Sequence, residues 1–142
     1  VVDLAVNPKN PTEFYVAYAT GGLWYTNNNG TSFSPVMDSA ETVNCGSVTV
    51  DWNSGTIWVG TGEVNASRSS YAGVGVLKSS DKGKTWENLG LKDSHHISRI
   101  WVNPSNLNEI VVAAVGHLYT TNKERGIYKQ LMVENLGKNS II

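Results

Sequence analysis

Short apolar runs alternate with polar turn clusters along the whole chain, and no window sustains a 3.6-residue apolar period. The runs are VVDLAVN (1–7), EFYVAYA (13–19), GLWYT (22–26), SVTVDW (47–52), TIWVGT (56–61), GVGVLKS (73–79), ISRIWVN (97–103) and EIVVAAV (109–115). All are strand-sized, rich in Val, Ile, Tyr and Trp, and bounded by Gly, Asn, Ser or Pro. The one helical candidate, NKERG at 122–126, is too short to hold a helix. The pattern predicts an all-β protein.

The strands repeat as a unit. Val6-Asn7-Pro8, Val50-Asp51-Trp52 and Val102-Asn103-Pro104 open three similar segments. Each runs strand, polar turn, strand, variable connection, strand, and the first two add a turn and a fourth strand. Four-stranded units recurring roughly every 40–50 residues predict a β-propeller. The units fall at approximately 1–38, 44–91 and 96–142, within one continuous piece of architecture spanning 1–142. Since closure takes about four to eight blades, this chain predicts a partial propeller of about two and three-quarter four-stranded antiparallel blades, not a closed ring. A start inside an apolar run suggests a segment of something longer, completed by further blades of a parent propeller or by self-association. An uncovered inner strand would otherwise invite aggregation.

Charge and composition mainly exclude. A net charge of −1, with 11 basic and 12 acidic residues, gives no footprint for nucleic acid. The longest apolar stretch, IVVAAV at 110–115, cannot cross a bilayer, and no targeting signal is visible. Cys45 is the single cysteine, so neither an internal disulfide nor a cysteine-rich metal centre is expected. It reads as a small buried residue. There is no Gly-rich phosphate loop followed by a helix, and no cofactor or metal is expected.

The stretch SSDKGKTW at 79–86 concentrates turn chemistry. Asp81 can accept backbone N–H groups from the turn that follows it, Gly83 allows a positive φ, and Trp86 can pack the next strand. Ser79, Asp81, Gly83, Thr85 and Trp86 match the S-x-D-x-G-x-T-W Asp-box of neuraminidase repeats. TNNNGTSF at 26–33 resembles a degenerate copy, with Asn28, Gly30 and Phe33 at the corresponding places. The wider chain to about residue 130 resembles bacterial sortilin-like propeller proteins, often labelled glycosyl hydrolases. The residues that carry this are DLAVNPKNPTEFYVAYATGGLWYTNNNGTSF, IWVGTGEVN, GLKDSHHISRI and GHLYTTNKERGIYK. The tail QLMVENLGKNSII departs from it, and no third Asp-box follows Lys129. The resemblance implies a structural Asp-box, an exported protein located extracellularly or in the periplasm, and a functional face opposite the Asp-boxes.

On that opposite face the long connections gather: 62–73, 90–96 and 116–126. Loops on a rigid scaffold are where binding groups concentrate. The ligand-binding candidates are Asn65, Arg68, Tyr71, His95, His96, Arg99, His117, Tyr119 and Arg125, for a peptide or carbohydrate ligand. Glu63 and Asp93 are weak catalytic candidates, because glycoside hydrolysis needs paired carboxyl groups; solvated loop carboxylates are the commoner reading of such residues. Arg68, Arg99 and Arg125 invite comparison with a carboxylate-binding arginine cluster. The histidines lack a metal arrangement, since adjacent residues on an extended segment face opposite ways. Trp24, Trp52, Trp58 and Trp101 are expected in the inter-blade core. Three functions stay open: a peptide- or glycan-binding module, part of a glycoside hydrolase with other catalytic groups elsewhere, and an interaction module without a ligand.

Overall fold

The computed structural model describes residues 1–130 and contains three antiparallel sheets with no α-helix among them. The first sheet joins β1 (Asp3–Val6), β2 (Phe14–Tyr18), β3 (Gly22–Thr26) and β4 (Ser34–Pro35) in chain order. The second joins β5 (Cys45–Asp51), β6 (Thr56–Thr61), β7 (Val76–Ser79) and β8 (Glu87–Gly90) in the same way. The third contains β9 (Ile97–Asn103), β10 (Asn106–Ala114) and β11 (Gly126–Gln130). The atypical tail beyond Gln130, on which the expected incompleteness of the last unit turns, lies outside the described residues.

Each sheet is a meander of neighbouring strands, and the sheets stack face to face. β5 lies against β1 and β2 on one side and against β9 on the other. The period of two then decides which side chain goes where. On β6, Ile57 and Val59 enter a core with Tyr15, Ala17, Leu23, Met37 and Val48 of the first two sheets. Trp58, one residue out of phase, enters the other core with Ile97, Ile100, Ile110, Val112 and Tyr128. All six residues of β6 are buried because its sheet is covered on both faces. This all-β stack of unclosed sheets is a partial β-propeller.

The sequence places four tryptophans in that core, and only one fits fully. Trp58 is 1% exposed, whereas Trp101 is 50% exposed. On β9, Ile97 and Ile100 face the second sheet, so Trp101 points to the outer face of the third. Trp24 likewise lines an open apolar groove with Tyr18 and Phe33 on the outer face of the first sheet. Trp52 is partly buried against the first core. Cys45 is fully buried, and burial pushes its thiol up to about 12, so it stays a neutral thiol.

Inter-sheet hydrogen bonds tie the inner strands. Asp3 Oδ2 on β1 accepts from the Val48 amide at 2.9 Å, and the Thr49 hydroxyl on β5 donates to the Ile100 carbonyl at 2.7 Å. At the other end of the second sheet, the Trp86 indole donates to the Val36 carbonyl at 3.1 Å.

The 79–86 turn closes the β7–β8 hairpin through side chains. Ser79 Oγ donates to Asp81 Oδ1 at 2.8 Å and accepts from the Gly83 amide at 2.8 Å. Asp81 Oδ1 accepts from the Thr85 amide at 2.8 Å, and Oδ2 accepts from its hydroxyl at 2.5 Å. The 26–33 turn repeats this wiring with Thr26, Asn28, Gly30 and Ser32, an amide standing where the carboxylate does. The bonds from Thr85, then Ser79, pull the Asp81 carboxyl down to about 2. A carboxyl depressed in the fold stabilises it fully above its ordinary value near 3.8, and the contribution fades as pH falls toward 2. Thermal unfolding should therefore fall more steeply between about pH 4 and pH 2 for the native chain than for Asp81→Asn. Parallel acid limbs would contradict this account of the turn.

Candidate functional site

Three connections meet at the end of the sheets opposite the 79–86 turn: 62–75, 91–96 and 115–125. The first leaves β6 through Gly62, whose φ is +85°, and a Cβ there would lie 1.9 Å from the His95 carbonyl oxygen. Only glycine lets the two connections touch so closely. The Gly73 amide also donates to the His95 carbonyl at 2.7 Å, and the Gly62 amide to the Asn44 carbonyl at 2.9 Å.

Glu63 follows immediately and is 3% exposed. Oε1 accepts from the Asn65 amide at 2.7 Å, while Oε2 takes the Ser70 hydroxyl in a very short contact and the Ser67 hydroxyl at 3.5 Å. The carboxylate is thus occupied in folding its own loop. Asn65, Arg68 and Tyr71 are carried outward on that loop, Tyr71 at 59% exposure.

The second connection contains a single 3₁₀ turn, Lys92–Ser94, flanked by Leu91 at φ 60° and His95 at φ 66°. Two non-glycine residues at positive φ within five positions are costly, and such conformations cluster at functional sites. The segment is therefore not extended, and the expected alternation of adjacent histidines does not apply. His95 stacks on His117, ring centres 3.7 Å apart and planes 20° apart. His96 turns inward, 4% exposed, its centroid 6.3 Å from His95.

The third connection is held by Arg125. Its Nε donates to the Val115 carbonyl at 2.8 Å, and its Nη2 to the His117 and Thr120 carbonyls at 2.5 and 3.2 Å. His117 Nε2 lies 3.0 Å from the Asp93 carbonyl and must carry the proton there, which leaves Nδ1 to accept from Thr120 Oγ1 at 3.0 Å in the neutral ring. The Asn122 amide donates to the same Asp93 carbonyl at 2.9 Å. Tyr119 stands at the tip, 79% exposed.

The cluster carries unspent polar capacity. His96 Nδ1, Asn122 Oδ1 and Glu124 Oε2 are buried without a hydrogen-bond partner among the described residues. Such atoms are rare and each calls for an explanation, a ligand group being one. Burial depresses the His96 ring, against the pull of the Glu63 backbone, so it is neutral near pH 7. Burial, then the Asp93 charge, raises the Glu124 carboxyl, with the Asp93 backbone, His117 and His95 opposing.

Of the sequence candidates, Asp93, His95, His96, His117 and Arg125 come together here. Arg99 does not: it lies on β9, where its guanidinium is 3.8 Å from Asp3 Oδ2. The three arginines therefore form no joint anion clamp: Arg125 is spent on carbonyls and Arg99 sits on a strand. Asn122, Ser67 and Ser70 had no sequence signal, because their roles depend on contacts between loops. No group of three metal-ligating side chains is arranged around a common point among the described residues.

Comparison with solved structures places the architecture. The chain aligns with an ancestral GH74 enzyme at 21% identity and a TM-score of 0.70, over 94% of this chain and 17% of that one. It aligns with the Niastella koreensis GH74 enzyme at 23% identity and a TM-score of 0.63, over 89% and 19%. YCF48 from Cyanidioschyzon merolae matches at 18% identity and a TM-score of 0.56, over 96% and 34%. These are β-propeller proteins, and at such identities the likeness establishes the fold alone. The chain spans less than a fifth of each GH74 enzyme and about a third of YCF48. No protein-family model and no curated sequence matches it. No helix among the described residues is long and apolar enough to cross a membrane.

A carboxyl raised in the fold favours its neutral form, so its ionisation costs stability above its ordinary value of 4.5. Glu124→Gln should raise Tm near about pH 7.5, and the gain should vanish below about pH 4. A gain that persists unchanged in acid would place the cause outside this carboxyl.

Proposed function

We propose that this chain is a glycan-binding portion of an exported β-propeller and that its loop face holds the ligand. The observation that carries the reading is the set of buried, unpartnered polar atoms of His96, Asn122 and Glu124 on a face whose connections also carry two outward aromatic side chains, Tyr71 and Tyr119. Sugars present both faces this arrangement suits: hydroxyls for the polar atoms and an apolar ring face for tyrosine. The architectural likeness to GH74 enzymes favours a glycan over a peptide. Export to the periplasm or beyond belongs to the same proposal. So does coverage of the outer sheet faces, where Leu4, Val6, Trp101 and Ile127 are exposed, by further blades or a second copy.

A hydrolytic reading rests on one observation. Glu124 is held toward its protonated form close to exposed Asp93, a pairing of an acid with a second carboxyl group that this chemistry needs. Glu63 is unavailable for that role because its oxygens hold the 62–73 loop. Release of reducing ends from a soluble β-glucan, abolished by Asp93→Asn with the fold intact, would favour it.

Binding is tested by titrating soluble β-glucan oligosaccharides and a control peptide library against the native chain and Tyr119→Ala. The exposed tyrosine bears no core load, so Tm should hold while glycan affinity falls about tenfold. Unchanged affinity, or binding of peptides alone, would overturn the glycan reading.

A further inference from the structure

A separate cavity of about 380 Å³ opens between the first two sheets, at the end occupied by the short turns. Its volume falls in the range of small-molecule sites, roughly 300–1,000 Å³. One wall is aromatic: the Tyr15 ring lies 4.9 Å from Tyr25 and 5.5 Å from Trp52, centre to centre. Glu13 faces the same space with its carboxylate fixed. Oε1 accepts from the Tyr25 hydroxyl at 2.6 Å and Oε2 from the Asn7 amide at 2.7 Å, and each oxygen keeps a further lone pair. Those two bonds, with the Lys82 charge adding, hold the Glu13 carboxyl below its usual range. Lys82 stands at the same cavity, its stem lying over Gly55.

Tyr15 is 4% exposed and lines the cavity, so its ring gives the wall a fixed apolar face.

The charges select the ligand. An organic cation would gain the rings and Glu13 but meet the Lys82 ammonium. An anion would gain Lys82 and meet Glu13. A neutral polyhydroxylated ring satisfies both, donating hydroxyl protons to Glu13 and accepting from Lys82 while a C–H face lies on Trp52. We propose that this inter-sheet cavity binds a single neutral sugar residue between Glu13, Lys82 and the Tyr15–Tyr25–Trp52 wall. It stands at the opposite end of the sheets from the loop cluster and does not depend on that site.

The test is two-dimensional 1H–15N NMR of the 142-residue chain, following indole resonances during titration with D-glucose, D-galactose, D-xylose and, separately, choline. The expected result is a saturable shift of the Trp52 indole with at least one sugar, weakened about tenfold by Glu13→Gln and by Lys82→Ala and untouched by Tyr119→Ala. Since both substituted side chains reach the surface of the cavity, their spectra should otherwise match the native chain. No Trp52 shift with any of the three sugars overturns the proposal. So does a shift with choline alone, or sugar binding lost in Tyr119→Ala but kept in Glu13→Gln.

Discussion

Residues 95–97 lie directly on the backbone of β5 and β6, with no room for a side chain between. A Cβ on Gly46 would meet the Ile97 carbonyl at 2.4 Å, one on Gly60 would meet Ile97 Cγ2 at 2.5 Å, and Gly62 would strike the His95 carbonyl. The third sheet can therefore approach until Ile97 is fully buried, joining the core built on Trp58. Interiors are close-packed and transmit small displacements, so the approach also fixes where the chain goes next. It leaves His95 at a positive φ with its ring turned onto His117, and His96 turned inward.

The same contact separates structural from available groups. Glu63 is the most buried carboxylate of the loop face, and its bonds are all internal. Arg125 is likewise consumed by three carbonyls of its own loop. What remains for a ligand is the set these anchors leave unpaired or exposed: His96 Nδ1, Asn122 Oδ1, Glu124 Oε2, Tyr71 and Tyr119. At the opposite end of the sheets, side-chain wiring of the two hairpin turns leaves a second opening between sheets, lined by Glu13 and aromatic rings.

Much of the fold was legible from alternation and repetition. TIWVGT and ISRIWVN became β6 and β9 with the same limits, because strand length and flanking turns are local properties. GVGVLKS was read too long: Gly75, at φ +96°, delays β7 until Val76. The tryptophans show where alternation stops informing. A strand's two faces look equivalent in sequence, and only the stacking order decides that Trp58 is enclosed while Trp101 is not. For the loop face, the connections could be located but not the contacts between them. Asn122 gained its role from a carbonyl 29 positions away, and Arg99 lost its loop role because β9 begins two residues before it.

The central claim is that the glycine contact under residues 95–97 positions the histidine pair. Proton NMR of the imidazole C–H signals reads this directly, because stacked rings at 3.7 Å shift each other's resonances upfield. In Gly62→Ala the upfield signals of His95 and His117 should return toward free-imidazole positions, while dispersed methyl signals of Leu23 and Val16 in the first sheet persist. Unchanged histidine shifts in a folded Gly62→Ala chain would contradict the account.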